Sequence, residues 1–128
     1  MNNEVEVWRE RLSAKPGCTE ETPFGPQALV YKVAGKMFAL LMIDRTPLGM
    51  NLKCDPQQAL IIRDTFSAVT PGYHMNKKHW NTIDLEAGLD IELVQSWIDD
   101  SYELVKQTLP KAVQARLVHQ GESEGESS

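Results

Sequence analysis

The chain has little of what usually announces a chemistry. Its two cysteines, Cys18 and Cys54, stand 36 residues apart with no CxxC pair, a spacing that supplies neither a disulfide framework nor a zinc ligand set. No run approaches the roughly 18 consecutive apolar residues of a membrane span. The opening Met1-Asn2-Asn3-Glu4-Val5-Glu6 lacks the basic start and apolar core of a signal peptide. A cytoplasmic protein with free thiols and no membrane partner is therefore expected. A Gly-rich phosphate loop and a GxSxG elbow are also missing, so the expectation is a non-enzyme without cofactor or metal. Basic charge is in short supply: 13 Lys and Arg face 18 Asp and Glu, giving a net charge of −5 and a pI near 5.1. A field of that sign repels nucleic acid, and any such contact must come from a local patch. Much of the excess sits in the last eight residues. Without them 13 basic face 15 acidic side chains, a net of −2.

What is present suits one domain. At 128 residues with 41% hydrophobic content, the chain can bury roughly two thirds of its unfolded surface in a single core. Val5, Trp8 and Leu12 fall on one face of a helix over residues 3–14, which Pro16-Gly17 ends. The following stretch through Pro23-Phe24-Gly25-Pro26 is too rich in Pro and Gly for regular structure. Three strands then come in quick succession: Ala28 to Val33, the nearly continuous apolar run Lys36 to Ile43, and the alternating Leu48 to Cys54. Their short links imply an antiparallel meander.

Asp55-Pro56 marks a helix start, an N-cap followed by proline in the first turn, and that helix is predicted to reach Phe66. A second strand pair spans Val69–His74 and Trp80–Leu85. Asp90 then caps a long helix whose stripe is Val94, Trp97, Ile98, Val105 and Leu109. The expected fold is α+β, a two-layer domain with a five-stranded antiparallel sheet and helices on one face, in the order α-β-β-β-α-β-β-α. Residues 1–112 form the domain. Pro110 interrupts the helical pattern, with a turn or two resuming through Leu117, and 113–128 read as a polar acidic tail without stable structure.

Particular residues carry a family resemblance. Pro23-Phe24-Gly25, the run Tyr31 to Ala39, Leu52-Lys53-Cys54-Asp55-Pro56, the run Pro71 to Trp80, Ser101-Tyr102 and Leu109-Pro110-Lys111 together resemble the MmcQ/YjbR family over roughly residues 5–112. The resemblance implies a compact α+β fold like the CyaY and secretion-chaperone shapes. It also implies DNA binding, the description commonly attached to the family, although a shared fold does not fix a function.

The candidate site is the segment joining the second strand pair. Lys77 and Lys78 can neutralise phosphates, Asn76 can bond phosphate or base edges, and Tyr73, His79 or Trp80 can stack or bond beside them. Lys32, Lys36 and Lys53, on outward strand positions, extend the patch in this reading, with Arg45 in a turn. The alternative is that Tyr73 and Trp80 pack against the last helix while the lysines simply face water. His74 and His79 flank the turn but are too few for a structural zinc site. A second functional class is a protein-interaction module, a homodimer or chaperone-like surface, using an apolar sheet face of Phe38, Leu40 and Met42. That face is equally compatible with cover from the Pro23–Pro26 loop or the first helix.

Overall fold

The structure, a computed structural model, describes residues 3–73 and 75–126. Its elements run α1 (Asn3–Ser13), β1 (Cys18–Glu21), β2 (Ala28–Val33), β3 (Lys36–Met42), β4 (Gly49–Lys53), α2 (Pro56–Thr65), β5 (Val69–Pro71), β6 (Trp80–Asp84), α3 (Ile91–Lys106) and α4 (Lys111–Glu126). The strands form one antiparallel sheet in the order β1-β2-β3-β4-β6-β5. The class is α+β, as expected, with six strands rather than five among the described residues. The added strand is β1, which pairs Cys18 with Val33 and Glu21 with Val30. Pro16-Gly17 and Pro23 bound it without entering it, so they punctuate a short edge strand instead of excluding one.

Local chemistry accounts for the helix boundaries. The Asp55 carboxylate accepts from the N–H groups of Gln57 and Gln58 at 3.1 and 3.2 Å, and Pro56 sits where no N–H is needed. Asp90 accepts from the Glu92 N–H at 2.9 Å and starts α3. α1 is anchored to the sheet by charge as well as by Trp8 and Leu12. Arg9 donates to both oxygens of Glu20 at 2.8 and 3.2 Å, and the Tyr31 hydroxyl donates to the same carboxylate at 2.5 Å. The Arg9 hydrogen bond, above all, holds the Glu20 carboxyl below its ordinary range, against the opposing effect of burial.

The main core lies between one sheet face and the helices. Trp8 and Leu12 of α1 and Val94, Ile98, Tyr102 and Val105 of α3 pack against Tyr31, Leu41, Met50, Leu52 and Ile83. Val113 packs against this core and Leu117 is buried, so the first turns of α4 belong to the folded unit and a domain boundary at residue 112 falls too early. The apolar spacing of Val113 and Leu117, i and i+4, gives α4 a face to bury despite the polar residues around it. Residues 127 and 128 lie outside the described residues.

The sheet also corrects the reading of β3. Tyr31 pairs with Ala39 and Lys32 with Met37, which leaves Phe38 as the extra residue of a bulge. Phe38 therefore faces the helices together with Ala39, its ring edge-on to Tyr102 at 5.4 Å and 89°. It does not share a face with Leu40 and Met42. Those two join Val30, Ala28 and Met37 in a separate cluster on the opposite face.

The buried Ser101 hydroxyl of α3 bridges two strands at this point, donating to the Phe38 carbonyl at 2.5 Å and accepting from the Lys53 N–H at 2.9 Å. Ser101→Ala leaves both backbone groups without their partner. It is expected to destabilise the protein by about 1–3 kcal/mol, read as a lower urea midpoint with an unchanged slope.

Candidate functional site

Sheet alternation assigns Val30, Leu40, Met42, Asn51, Lys53, Trp80 and Thr82 to the face turned away from the helices. Its floor is apolar, with Val30, Leu40 and Met42 buried and Ala28 and Met37 packed beside them. Two loops and a turn rise around this floor. Phe24 and Gln27 come from residues 22–27, Tyr73 and Met75 from the stretch after β5, and Asp44 and Arg45 from the β3–β4 turn. Between them lies a groove of about 730 Å³. The remaining surface of Leu40 and Met42, 8% each, opens into it.

The sequence dictates how Gly72 and Tyr73 are held. Gly72 has room for no side chain, since a Cβ there would lie 2.7 Å from the Trp80 Cβ and 2.9 Å from the Trp80 carbonyl. Its N–H donates to that carbonyl at 2.8 Å. The next residue is clamped at both ends of its backbone. The Tyr73 N–H donates to the Thr82 hydroxyl at 2.8 Å, and the Asn51 amide donates to the Tyr73 carbonyl at 3.0 Å. Thr82 in turn donates to the Asn51 carbonyl oxygen at 2.5 Å. Asn51 and Thr82 are buried polar residues that satisfy one another and the loop. With its backbone fixed, Tyr73 keeps a half-exposed ring, 52% accessible, above the Arg45 guanidinium at 5.4 Å.

The residues expected to contact nucleic acid do not come together as one surface. Asn76, Lys77 and Lys78 are exposed in the 76–79 loop, but the Lys77 amine donates to the Gly72 carbonyl at 3.0 Å and the Asn76 side chain accepts from the Lys78 N–H at 2.9 Å. His79 is half-buried and Trp80 is buried at 9%, so the indole does not offer a stacking face. Lys32 pairs with Glu21 at 3.2 Å. Lys36 turns toward the helix layer, its amine donating to Thr108 at 3.2 Å, while Lys53 stays half-buried on the open face. His74 lies outside the described residues. Among the described residues no three His, Cys, Asp or Glu side chains converge as metal ligands. Burial first, and then the charge of Glu20, pushes the Cys18 thiol up to about 11. Burial, followed by Asp55 and Asp100, raises Cys54 as well, with Arg63 opposing.

Several site residues carry no sequence signal as such. Arg63 of α2 steadies the far loop, donating to the Asn81 side chain at 2.6 Å, to the Trp80 carbonyl at 3.2 Å and to the Lys77 carbonyl. Phe24, Met75 and Arg45 come from three separate connections. The Pro-Phe-Gly-Pro composition of the first of these is the one local hint that an aromatic side chain is held in a shaped loop.

Known proteins resemble this chain in sequence and in fold. A family model described as YjbR matches residues 13–104, a span that includes every residue lining the groove. The uncharacterised protein YbdF of Escherichia coli O157:H7 is 40% identical over 95 residues, covering 74% of this chain and 78% of that one. The uncharacterised protein YjbR of Escherichia coli K12 is 30% identical over 105 residues, covering 82% and 89%. The crystal structure of Deinococcus radiodurans protein DR2400 superposes with a TM-score of 0.81 at 35% identity over 88% of this chain and 86% of that one. A crystal structure of a Pseudomonas syringae protein gives 0.69 at 27% identity over 81% and 98%.

Thr82→Val removes the acceptor for the Tyr73 N–H and the donor to Asn51. The Tyr73 amide is expected to exchange with solvent faster, and stability to fall by about 1–2 kcal/mol. Hydrogen exchange resolved by residue checks both. An unchanged Tyr73 rate would show that the clamp does not hold the loop.

Proposed function

We propose that this chain, which belongs to the YjbR family, is a binding protein that holds a small, largely apolar molecule in the groove on the open face of its sheet. The observation that carries the proposal is the groove itself, about 730 Å³, floored by Leu40 and Met42 and walled by Phe24, Tyr73 and Met75. That size and an apolar lining with few polar groups are what small-molecule sites share. The groove's wall is also fastened to the sheet through Asn51 and Thr82, which makes it preorganised and lowers the entropy cost of binding. Burial of Phe38 in the helix-side core, and cover of Leu40 and Met42 by the protein's own loops, weigh against an open apolar face used for dimerisation.

Neutral fragments such as indole and octanol, titrated into the ¹⁵N-labelled protein, are expected to shift the amides of Leu40, Met42, Tyr73 and Met75. Met37→Trp, which fills the groove from a partly exposed position, is expected to abolish those shifts without unfolding the domain. Shifts scattered over the surface, and indifferent to that substitution, would remove the proposal.

A second reading is favoured by the exposure of Asn76, Lys77 and Lys78 in one loop: contact with a DNA backbone at the rim of the same face. Only two or three phosphates are within reach of so few cations, and the overall charge opposes approach, which implies weak and steeply salt-dependent binding. Lys77→Ala with Lys78→Ala is expected to weaken binding to every DNA sequence alike and to lower its salt slope by roughly 2. Fluorescence anisotropy at two salt concentrations reads this. Wild-type protein that ignores DNA at low salt ends the second reading.

A further inference from the structure

Granted that the groove is the binding site, we infer that its occupant is a small molecule with an apolar body and a singly charged carboxylate head, which Arg45 receives. Arg45 is held in the β3–β4 turn and its guanidinium lies against the sheet over Gly49. A Cβ at Gly49 would come within 3.1 Å of Nη1 and 3.1 Å of the Met42 Cε, so glycine leaves the space that the guanidinium fills. The guanidinium carbon also stands over the Tyr73 ring, 5.4 Å from its centroid. Nη1 is buried there and finds no hydrogen-bond acceptor among the described residues.

A guanidinium keeps its charge at any accessible pH and presents five N–H donors. Withdrawing one of its nitrogens from water without an acceptor costs free energy that the contact with the Tyr73 ring offsets only in part. Asp44 is the adjacent residue and lines the same groove, yet no ion pair between it and Arg45 forms among the described residues. The missing acceptor is one that a ligand can bring. A carboxylate matches the planar fork of the guanidinium with two parallel hydrogen bonds.

The charge count around the groove selects the head group further. Among the described residues of the lining, Arg45 is the single cation and Asp44 the single anion. A monoanion is balanced by one guanidinium. A doubly charged phosphate, by contrast, leaves one charge unpaired beside a carboxylate, a repulsive contact at short range. The body of the ligand then extends along Met42, Leu40 and Met37 toward Phe24. Access to Arg45 requires the half-exposed Tyr73 ring to turn aside about its own side-chain bonds, while the backbone clamp by Asn51 and Thr82 stays in place.

Calorimetric titration of the full chain with sodium decanoate, decanol and decyl phosphate tests this. Decanoate is expected to bind about tenfold or more tightly than decanol, the worth of a charge-assisted hydrogen bond. Arg45→Gln is expected to reduce decanoate to the affinity of decanol, with Arg45→Lys retaining part of the preference. Equal affinity of the wild type for decanoate and decanol, or an Arg45→Gln variant that weakens both alike, overturns the anion inference while groove binding stands. Decyl phosphate binding more tightly than decanoate overturns the choice of head group. No binding of any of the three probes, with the groove amides unmoved, overturns both the inference and the groove as the site.

Discussion

One residue too many in β3 decides what each side of the sheet is for. Phe38 has no partner of its own on β2, because Lys32 pairs with Met37 and Tyr31 with Ala39. The bulge turns a phenyl ring into the helix layer, where burying it against Tyr102 contributes roughly 1.5–3 kcal/mol. It also resets the alternation, so that Met37, Leu40 and Met42 line the opposite side in the company of Val30. Ser101 reads the distorted strand directly through the Phe38 carbonyl and couples it to the end of β4. A helix-facing core and a separate apolar floor thus come from the same short strand.

Above that floor, polar groups do the positioning and apolar groups supply the surface. Asn51 and Thr82 are buried on the open face and spend their hydrogen bonds on each other and on the Tyr73 backbone. Satisfied buried networks of this kind are rigid and specific. Arg63 acts likewise from α2 on the carbonyls of the neighbouring loop. In the sequence these residues look unremarkable: two polar side chains inside strands and a basic residue near a helix end. Their value is visible only once the loop lies across the sheet.

The short-range features were legible in the sequence. The Asp55-Pro56 and Asp90 helix starts, the α3 stripe and the antiparallel meander all depend on neighbours within one or two turns, and each appears where the local pattern puts it. β1 was not legible, because Cys18-Thr19-Glu20-Glu21 has no apolar alternation and becomes a strand through the edge that β2 offers it. The bulge was not legible either, since a continuous apolar run fits any register until its partner is known. The groove draws on Phe24, Arg45 and Tyr73, which no window joins. The lysines were visible, but whether an amine points to solvent or to a neighbouring carbonyl, as Lys77 does, is a property of the folded loop.

The two borders of the sheet carry a consequence for how such domains can associate. At one border β1 is four residues long and ends in Glu20 and Glu21; at the other β5 is three residues long and ends in Pro71, which has no N–H to offer. Short, charged or proline-bearing edges discourage the addition of a strand from another molecule. Copies of this chain, or an extended peptide, are therefore poorly placed to continue the sheet by sharing main-chain hydrogen bonds. Whatever meets this protein has to be recognised by its side chains.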